Sequence, residues 1–113
     1  MHELGIAQSI INTVVKVAEQ NGRKRIEKVR IQVGEFRAVI REQLVFSFGF
    51  AGEGTIAEGA ALEVEVIPIV AVCQSCKNEF RVKNFYFQCP ACEGTSVRVV
   101  KGQELKIIDV ELG

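Results

Sequence analysis

The segments Cys73-Gln74-Ser75-Cys76 and Cys89-Pro90-Ala91-Cys92 contain all four cysteines of the chain in two C-x2-C pairs, twelve residues apart. A two-residue spacing lets both thiolates of a pair point at one ion from a single tight turn. A second such turn, brought to face the first, completes a tetrahedral set of four sulfur ligands. The sequence therefore predicts one closed structural metal site with zinc as the favoured ion.

Three other uses of paired cysteines compete with zinc. Disulfides need an oxidising compartment. We expect no signal peptide after Met1 and therefore reduced thiols, because polar residues interrupt any apolar run: Gln8, Ser9, Asn12 and Lys16. A thioredoxin-like redox site needs one C-x-x-C motif that opens a helix, whereas strand-like sequence flanks both pairs here. An iron site of the rubredoxin type also uses four thiolates, and the spacing leaves it open.

The composition indicates one compact unit or one small domain with an inserted module. The chain has 113 residues, of which 48% are apolar, enough for a hydrophobic core. Its 14 basic and 14 acidic residues give no net charge, which counts against a nucleic-acid-binding module. No apolar run approaches the roughly 18 residues that a membrane span needs. We therefore expect a cytoplasmic protein that binds neither nucleic acid nor membrane.

Apolar periodicity predicts two helices. In the first, from about residue 3 to about residue 20, apolar side chains recur at steps of three and four: Leu4, Ala7, Ile11, Val14 and Ala18. Asn21-Gly22 is its C-terminal stop signal. The second helix runs from Arg41 to about Phe50 and has one apolar face: Leu44, Val45 and Phe48. Three glycines are expected to end it: Gly49, Gly52 and Gly54.

Strands are predicted where apolar and polar residues alternate. Ile26–Val33 and Leu62–Val66 show this alternation, and Val97–Val100 and Leu105–Leu112 read as further strands. The predicted fold class is α+β, with two helices on a three-stranded sheet and an inserted four-cysteine zinc-ribbon module.

The cysteine pairs lie between strands that have half-buried patterns of their own, which indicates an insertion. We predict a first domain of residues 1–70, completed by the strand in 103–113, and an inserted zinc-ribbon domain of residues 71–102. Within the insert, Glu79–Val82 and Phe85–Gln88 are expected to form a hairpin that connects the cysteine pairs. The aromatic residues 85–87 are then hairpin core rather than a surface for stacking bases.

His2, the only histidine, lies next to the N-terminus. The amine of Met1, the amide nitrogen of His2 and its imidazole Nδ1 can close two adjacent chelate rings on one ion. Such rings favour planar nitrogen coordination, which suits Ni(II) or Cu(II) and does not suit zinc. Glu3, water or a partner group could supply the fourth ligand. The site requires that Met1 be retained, as expected when a residue as large as histidine follows it.

These features together resemble the HypA/HybF family of hydrogenase nickel incorporation proteins, and the resemblance covers essentially the whole chain. It rests on Met1-His2-Glu3, the amphipathic helix directly behind it, and both C-x2-C pairs, the second of which begins Cys89-Pro90. Further matching stretches are Val33-Gly34-Glu35, Phe46–Phe48, Gly59-Ala60 and Gly102-Gln103-Glu104-Leu105.

The resemblance implies a nickel metallochaperone that delivers Ni(II) to the large subunit of [NiFe]-hydrogenase during maturation. It assigns nickel ligation to Met1, His2 and Glu3. It assigns structural Zn(II) to the four cysteines: Cys73, Cys76, Cys89 and Cys92. The implied partners are a nickel-binding GTPase of the same pathway, the hydrogenase large subunit and, in some organisms, urease maturation proteins. The resemblance leaves a homodimer open.

A hypothesis of a different class is a zinc-ribbon module that binds protein or nucleic acid and has no nickel role, with His2 incidental. An enzyme is the weakest of the readings. The chain has no Ser/His/Asp set and no glycine-rich phosphate loop, and no base is available to activate Thr55 or Ser75.

Overall fold

The computed structural model describes residues 2–113 and shows two helices and two three-stranded sheets, which confirms the predicted α+β fold class. The elements in chain order are α1 (Glu3–Gln20), β1 (Ile26–Gly34), a 3-10 turn (Glu35–Arg37), α2 (Arg41–Gly52), β2 (Ala61–Ile67), β3 (Val70–Cys73), β4 (Glu79–Arg81), β5 (Val97–Lys101) and β6 (Leu105–Leu112). Over this described range, no helix has the length and apolar character needed to cross a membrane.

Helix α1 has the apolar face and the C-terminal stop that its sequence predicts. The buried residues include a stripe at helical spacing: Ile6, Ala7, Ile10, Ile11, Val14 and Ala18. The prediction that Leu4 begins this stripe is wrong, because Leu4 is 51% exposed and Ile6 is buried instead. Gly22 adopts a left-handed conformation with φ of 66°. The N–H of Arg23 donates to the carbonyl of Ala18 at 2.9 Å, and that of Gly22 to Glu19 at 3.1 Å. These two bonds form a Schellman motif, which satisfies carbonyls that the helix leaves unpaired.

Helix α2 packs against α1 and continues further than predicted. Leu44, Phe48 and Gly52 are its buried residues, one helical turn apart. A Cβ at Gly52 would lie 3.2 Å from the Ala57 carbonyl oxygen and 3.5 Å from Ile11 Cδ1. Gly52 therefore permits close packing where the helix ends. The prediction that Gly49 ends α2 is wrong, whereas the helix does end at Gly52, and Gly54 follows with a positive φ of 78°.

The first sheet has the strand order β2-β1-β6, so the central strand is β1. Its Val29, Ile31 and Val33 are buried, as the alternation predicts. The other side of the sheet carries ion pairs between neighbouring strands: Lys28 with Glu63 at 3.2 Å and Arg30 with Asp109 at 2.8 Å. These pairs are exposed, so each contributes little to the free energy of folding.

The chain divides into two compact units. The helical unit comprises the described residues up to Gln32, together with Val39–Glu65 and Lys106–Gly113. The cysteine unit comprises Val33–Ala38 and Val66–Leu105, a wider range than the predicted insert of residues 71–102. The two folding domains stay a prediction.

The second sheet lies in the cysteine unit and has the strand order β4-β3-β5. Both pairings with β3 are antiparallel, with Ala71 opposite Phe80 on one side and opposite Val99 on the other. A small cluster is buried around this sheet: Ile69, Ala71 and Val82, packed against the partly buried Phe80, Phe87, Val97 and Val99.

The predicted hairpin between Glu79–Val82 and Phe85–Gln88 is wrong. Strand β4 pairs with β3, and residues 85–88 form no strand. The chain cannot continue as a ladder there because Asn84 and Phe85 both have positive φ, 55° and 58°. The prediction that residues 85–87 are core is wrong for two of the three, since Phe85 and Tyr86 are exposed. Phe87 is partly buried, and its ring centroid lies 5.9 Å from that of Phe36.

Gly102 fixes how the segment Val33–Ala38 joins the cysteine unit. Its carbonyl accepts the N–H of Phe36 at 2.8 Å, and its φ is 108°. A Cβ at Gly102 would lie 2.6 Å from Ile69 Cα, and one at Gly34 would collide with the Gly102 carbonyl. Both glycines are therefore required by close backbone approach.

We predict that Gly102→Ala destabilises the cysteine unit far more than a change at a glycine with open space. Gly59 is the matched control, since it also has a positive φ, 80°, and nothing within 4 Å of its Cβ position. Gly59→Ala should cost only the left-handed backbone penalty of about 1–2 kcal/mol. Gly102→Ala should cost clearly more, measured as the free energy of unfolding in denaturant. Equal costs for the two variants would contradict the packing described here.

Candidate metal centre

The two C-x2-C turns share one backbone hydrogen-bond pattern. In the first turn the N–H of Lys77 donates to the Cys73 carbonyl at 2.9 Å, and in the second that of Glu93 donates to Cys89 at 2.8 Å. The residue after the second cysteine has a left-handed backbone conformation in both turns, with φ of 67° at Lys77 and 63° at Glu93. Each first cysteine also donates its N–H five residues ahead, to the carbonyls of Asn78 and Gly94, at 2.9 Å. This pattern directs both thiols of a pair to the same side.

The structure brings all four sulfur atoms together. The Sγ atoms of the four cysteines lie within 4.8 Å of one another. Two pairs across the turns are closer still: Cys73 to Cys92 and Cys76 to Cys89, each at 3.6 Å. Cys73 and Cys89 are buried, whereas Cys76 and Cys92 are exposed. The site is therefore enclosed on the side of the first cysteines and accessible from the other.

These distances fit a tetrahedral metal ion. Zinc–sulfur bonds of about 2.3 Å in a tetrahedron separate neighbouring sulfur atoms by about 3.8 Å. The spacing of the four Sγ atoms is close to that value without a change of fold. Four thiolates are soft ligands, which suit zinc or iron and do not suit magnesium or calcium. The residues present therefore fit the predicted closed site.

The first cysteine of each turn has a lowered pKa. The amide N–H of Cys76 donates to the Cys73 sulfur and lowers the pKa of Cys73, against the opposing effect of burial. Burial raises the pKa of Cys89, but N–H groups of Cys92 and Ala91 outweigh it and bring this pKa to about 6. Amide donors thus favour the thiolate at the two buried positions.

The second cysteine of each turn has a raised pKa. An N–H of Gly94 lowers the pKa of Cys92, but the sulfurs of Cys73 and Cys76 outweigh it and raise this pKa to about 12. An N–H of Asn78 lowers the pKa of Cys76, but the Cys89 sulfur and burial together outweigh it, so this pKa is also raised. Each second thiol can therefore donate to the first thiolate of the other turn. Metal binding must displace these protons, so acid should oppose binding.

Two residues that lie beside the sulfur atoms were not predicted to belong to the site. Asn78 Nδ2 lies 3.8 Å from the Cys89 sulfur. A Cβ at Gly94 would lie 3.3 Å from the Cys92 sulfur and 3.9 Å from that of Cys73, so this position leaves little space for a side chain. Both residues lie two positions after a cysteine pair, which is the only sequence signal that could have identified them.

The predicted N-terminal site is described only in part. Met1, one predicted nickel ligand, lies outside the described residues. His2 precedes α1 and is exposed, and its carbonyl accepts the N–H of Ile6 at 3.1 Å. Glu3 is buried, 4% exposed, and its Oε2 accepts the N–H of Ile40 at 2.9 Å. Glu3 therefore connects the start of α1 to the residue that precedes α2, a contact that the sequence analysis did not predict.

Comparison with known proteins gives one consistent result. The family model described as "Hydrogenase/urease nickel incorporation, metallochaperone, hypA" matches residues 1–112. Relatives named hydrogenase maturation factor HypA include those of Geobacter sulfurreducens and Roseiflexus sp. They are 38% and 36% identical over 112 residues, and the matches cover 99% and 98% of this chain and 99% and 91% of the relatives.

Solved structures agree with this result. The solution structure of the nickel metallochaperone HypA from Helicobacter pylori superimposes with a TM-score of 0.67 at 25% sequence identity. The match covers 99% of this chain and 97% of that one.

We predict that Cys73→Ser or Cys92→Ser removes zinc and loosens the cysteine unit. A structural four-thiolate site contributes folding energy on the order of 10 kcal/mol, and a serine hydroxyl is a poor substitute for a thiolate. Elemental analysis should find about one zinc per chain in the unchanged protein and little in either variant. Hydrogen exchange should accelerate in β3, β4 and β5, with a smaller effect in α1.

Ser75→Ala is the control, because it changes the same turn and keeps every thiol. It should retain zinc. Iron in freshly isolated protein, or zinc retained by both serine variants, would contradict the assignment of this site to zinc.

Proposed function

We propose that this chain, which belongs to the HypA family of nickel-incorporation metallochaperones, binds Ni(II) at its N-terminus and delivers it to the large subunit of [NiFe]-hydrogenase during maturation. The family match over residues 1–112 carries this proposal, because it spans both the N-terminal tripeptide and the four cysteines. We propose no catalytic role for the chain. Nickel is its cargo, and its chemistry is binding and release.

The position of His2 supports nickel binding by the main chain. The first N–H groups of a helix have no acceptor within the helix, and His2 precedes the first helical residue. The His2 amide can therefore lose its proton to a metal without breaking a hydrogen bond of α1. The exposed imidazole of the same residue can join it, together with the amine of Met1. This planar nitrogen set suits Ni(II).

Glu3 can support this site in two ways. Its carboxylate lies in the first turn of α1 and accepts the N–H just before α2, so it lies near the positive ends of two helix dipoles. A cation bound beside His2 would add to the positive charge there, and the Glu3 carboxylate would offset it. Glu3 could also supply the fourth ligand through its main-chain nitrogen or a carboxylate oxygen.

We assign structural zinc to the four cysteines. A zinc ion held by Cys73, Cys76, Cys89 and Cys92 would connect the two turns and stabilise the cysteine unit, without an open position for chemistry. Retention of zinc and release of nickel then follow from the ligand sets. Four thiolates enclose one ion, whereas a terminal amine and an exposed imidazole let a competing ligand enter.

The proposed partners follow from the family role. Delivery needs a nickel-binding GTPase of the maturation pathway and the hydrogenase large subunit, and in some organisms it extends to urease maturation proteins. These are proteins of the cytoplasm, where we place this chain. The alternative of a zinc-ribbon module without a nickel role loses support, because the matching family is described by nickel incorporation.

We predict that His2→Ala abolishes tight nickel binding and leaves zinc content unchanged. The variant loses the imidazole ligand and therefore the chelate ring that this ligand closes. A few residues added before Met1 should have the same effect, since the terminal amine would no longer be there. Calorimetric titration with nickel and elemental analysis would measure the two metals. Undiminished nickel affinity in the extended protein would show that the ligands lie elsewhere.

Gln8→Ala, on the exposed side of α1, is the matched control for these titrations. Its side chain bonds only Asn12 among the described residues, so the variant should bind nickel like the unchanged protein. Copper should bind at least as tightly as nickel in vitro, by the usual order of divalent affinities.

In cells, His2→Ala should reduce [NiFe]-hydrogenase activity at limiting nickel and allow much of it to recover in excess nickel. A carrier lowers the free nickel that its client needs and does not alter the client's chemistry. Activity should be followed across a nickel series, with protein abundance checked by immunoblot. Normal activity in the variant strain under nickel limitation would refute delivery by this site.

A further inference from the structure

Strand β4 lies at one end of the second sheet and has a neighbouring strand on one side only. The strand order β4-β3-β5 leaves its outer edge unpaired. On the inner side, the N–H of Cys73 donates to the Asn78 carbonyl at 2.9 Å, just before β4 begins. The N–H of Val82 donates to the Ile69 carbonyl at 2.9 Å, just after β4 ends. Because only every second residue of an antiparallel strand bonds to its partner, these two bonds fix which main-chain groups face β3.

The alternation directs the main-chain groups of Glu79 and Arg81 away from β3. Both residues are exposed. Within residues 2–113, no hydrogen bond outside the β3–β4 ladder involves the main chain of either residue. The outer edge of β4 therefore offers two N–H and two C=O groups for pairing. An open edge of this kind accepts an extended peptide as a further strand.

A groove of about 580 Å³ adjoins this edge and lies within the cysteine unit. Its lining comes from two segments of the chain. Arg81 and Lys83 belong to β4 and the residues that follow it, whereas Pro90 and Glu93 belong to the second cysteine turn. The ring of Tyr86 also lines the groove and is 67% exposed. A peptide on the edge of β4 would therefore have room to place a side chain against an aromatic ring.

Tyr86 is held in position from both of its ends. Its N–H donates to the Lys83 carbonyl at 3.0 Å and closes a tight turn. Its hydroxyl donates to the side-chain oxygen of Gln88, whose amide nitrogen donates to the Glu93 carbonyl at 2.9 Å. The second cysteine turn thus fixes an exposed ring before any ligand arrives. A fixed aromatic ring loses little conformational freedom on binding, which favours its use as an anchor.

The charges at the groove favour an acidic ligand. Arg81 and Lys83 line it, and no ion pair within residues 2–113 involves either of them. Glu93 is the one acidic residue of the lining, so the groove has a net positive charge. A carboxylate opposite Arg81 on an added strand would form a favourable cross-strand pair, whereas a basic side chain there would be repelled.

We propose that the outer edge of β4 and this groove, together the β4 edge site, bind an extended acidic segment of another protein as an added strand. The segment pairs its main chain with Glu79 and Arg81. One of its carboxylates lies beside Arg81 and Lys83, and an apolar side chain packs on the ring of Tyr86. The site lies in the cysteine unit and uses none of the proposed nickel ligands, so it does not rest on nickel binding.

Fluorescence anisotropy with the full chain tests the proposal. The probe is a short fluorescein-labelled peptide in which glutamate and valine alternate. It should bind saturably, and the same peptide with lysine in place of glutamate should not bind. Absence of binding by the acidic peptide, or equal binding of the two peptides, would overturn the proposal.

Two substitutions at Glu79 test for strand addition. Both remove a carboxylate that repels the acidic peptide, so Glu79→Ala should bind it at least as tightly as the unchanged protein. Glu79→Pro also removes the outward N–H, while the bonds of the neighbouring residues to β3 remain. It should bind about fivefold more weakly than Glu79→Ala. Equal affinity of the two variants would show that the edge of β4 does not pair with the peptide.

Arg81→Glu tests the charge and should weaken binding of the acidic peptide by about fivefold or more. Lys106→Glu, at an exposed position of the helical unit, changes a cation to an anion in the same way and should bind like the unchanged protein. Zinc content and circular dichroism would show that each variant is folded. Unchanged affinity in Arg81→Glu would contradict the proposal. Nickel titration should be the same in every variant, so the outcome is separate from that of the nickel site.

Discussion

The fold of the cysteine unit depends on its four sulfur atoms lying close enough together to bind one ion. Its strands have only three to five residues, and its fully buried cluster is Ile69, Ala71 and Val82. A core of this size is too small to hold such short strands together by hydrophobic burial alone. One cysteine pair begins at the end of β3 and the other lies in the irregular segment before β5. An ion bound by both pairs would therefore connect the end of β3 directly to the irregular segment before β5.

The two proposed metal sites differ in how the backbone takes part. At the cysteines, main-chain N–H groups donate to sulfur and stabilise negative charge before any metal arrives, at Cys73 and Cys89 above all. At the N-terminus, the His2 nitrogen would itself be a ligand, and helix geometry leaves it without an intrahelical acceptor. The first arrangement favours retention and the second favours exchange, as a carrier with a structural ion requires.

The sequence predicted the elements that local patterns determine. The α1 stripe from Ala7 onward, the Asn21-Gly22 end of that helix and the alternation in β1 follow from periodicity and turn chemistry, and the structure confirms them. The partner of β4 could not be predicted in this way, because a strand pattern does not specify which strand pairs with it. The contacts of Gly102 with Ile69 and Phe36 were missed for the same reason, since the close approach of backbones distant in sequence leaves no periodic signal.

Helix α2 shows how one sequence pattern can contain two different constraints. Its spacing of Leu44, Phe48 and Gly52 describes the face against α1, but Val45 and Phe46 are equally apolar and face water. Periodicity alone assigned Val45 to the core, because an apolar side chain beside the buried face fits the same helical spacing, although Val45 is 40% exposed. The two glycines inside this pattern also differ, since Gly52 has close neighbours whereas a Cβ at Gly49 would meet nothing within 4 Å. The start of α2 is held by a contact that no local pattern predicts, because the N–H of Ile40, the residue before the helix, donates to the Glu3 carboxylate.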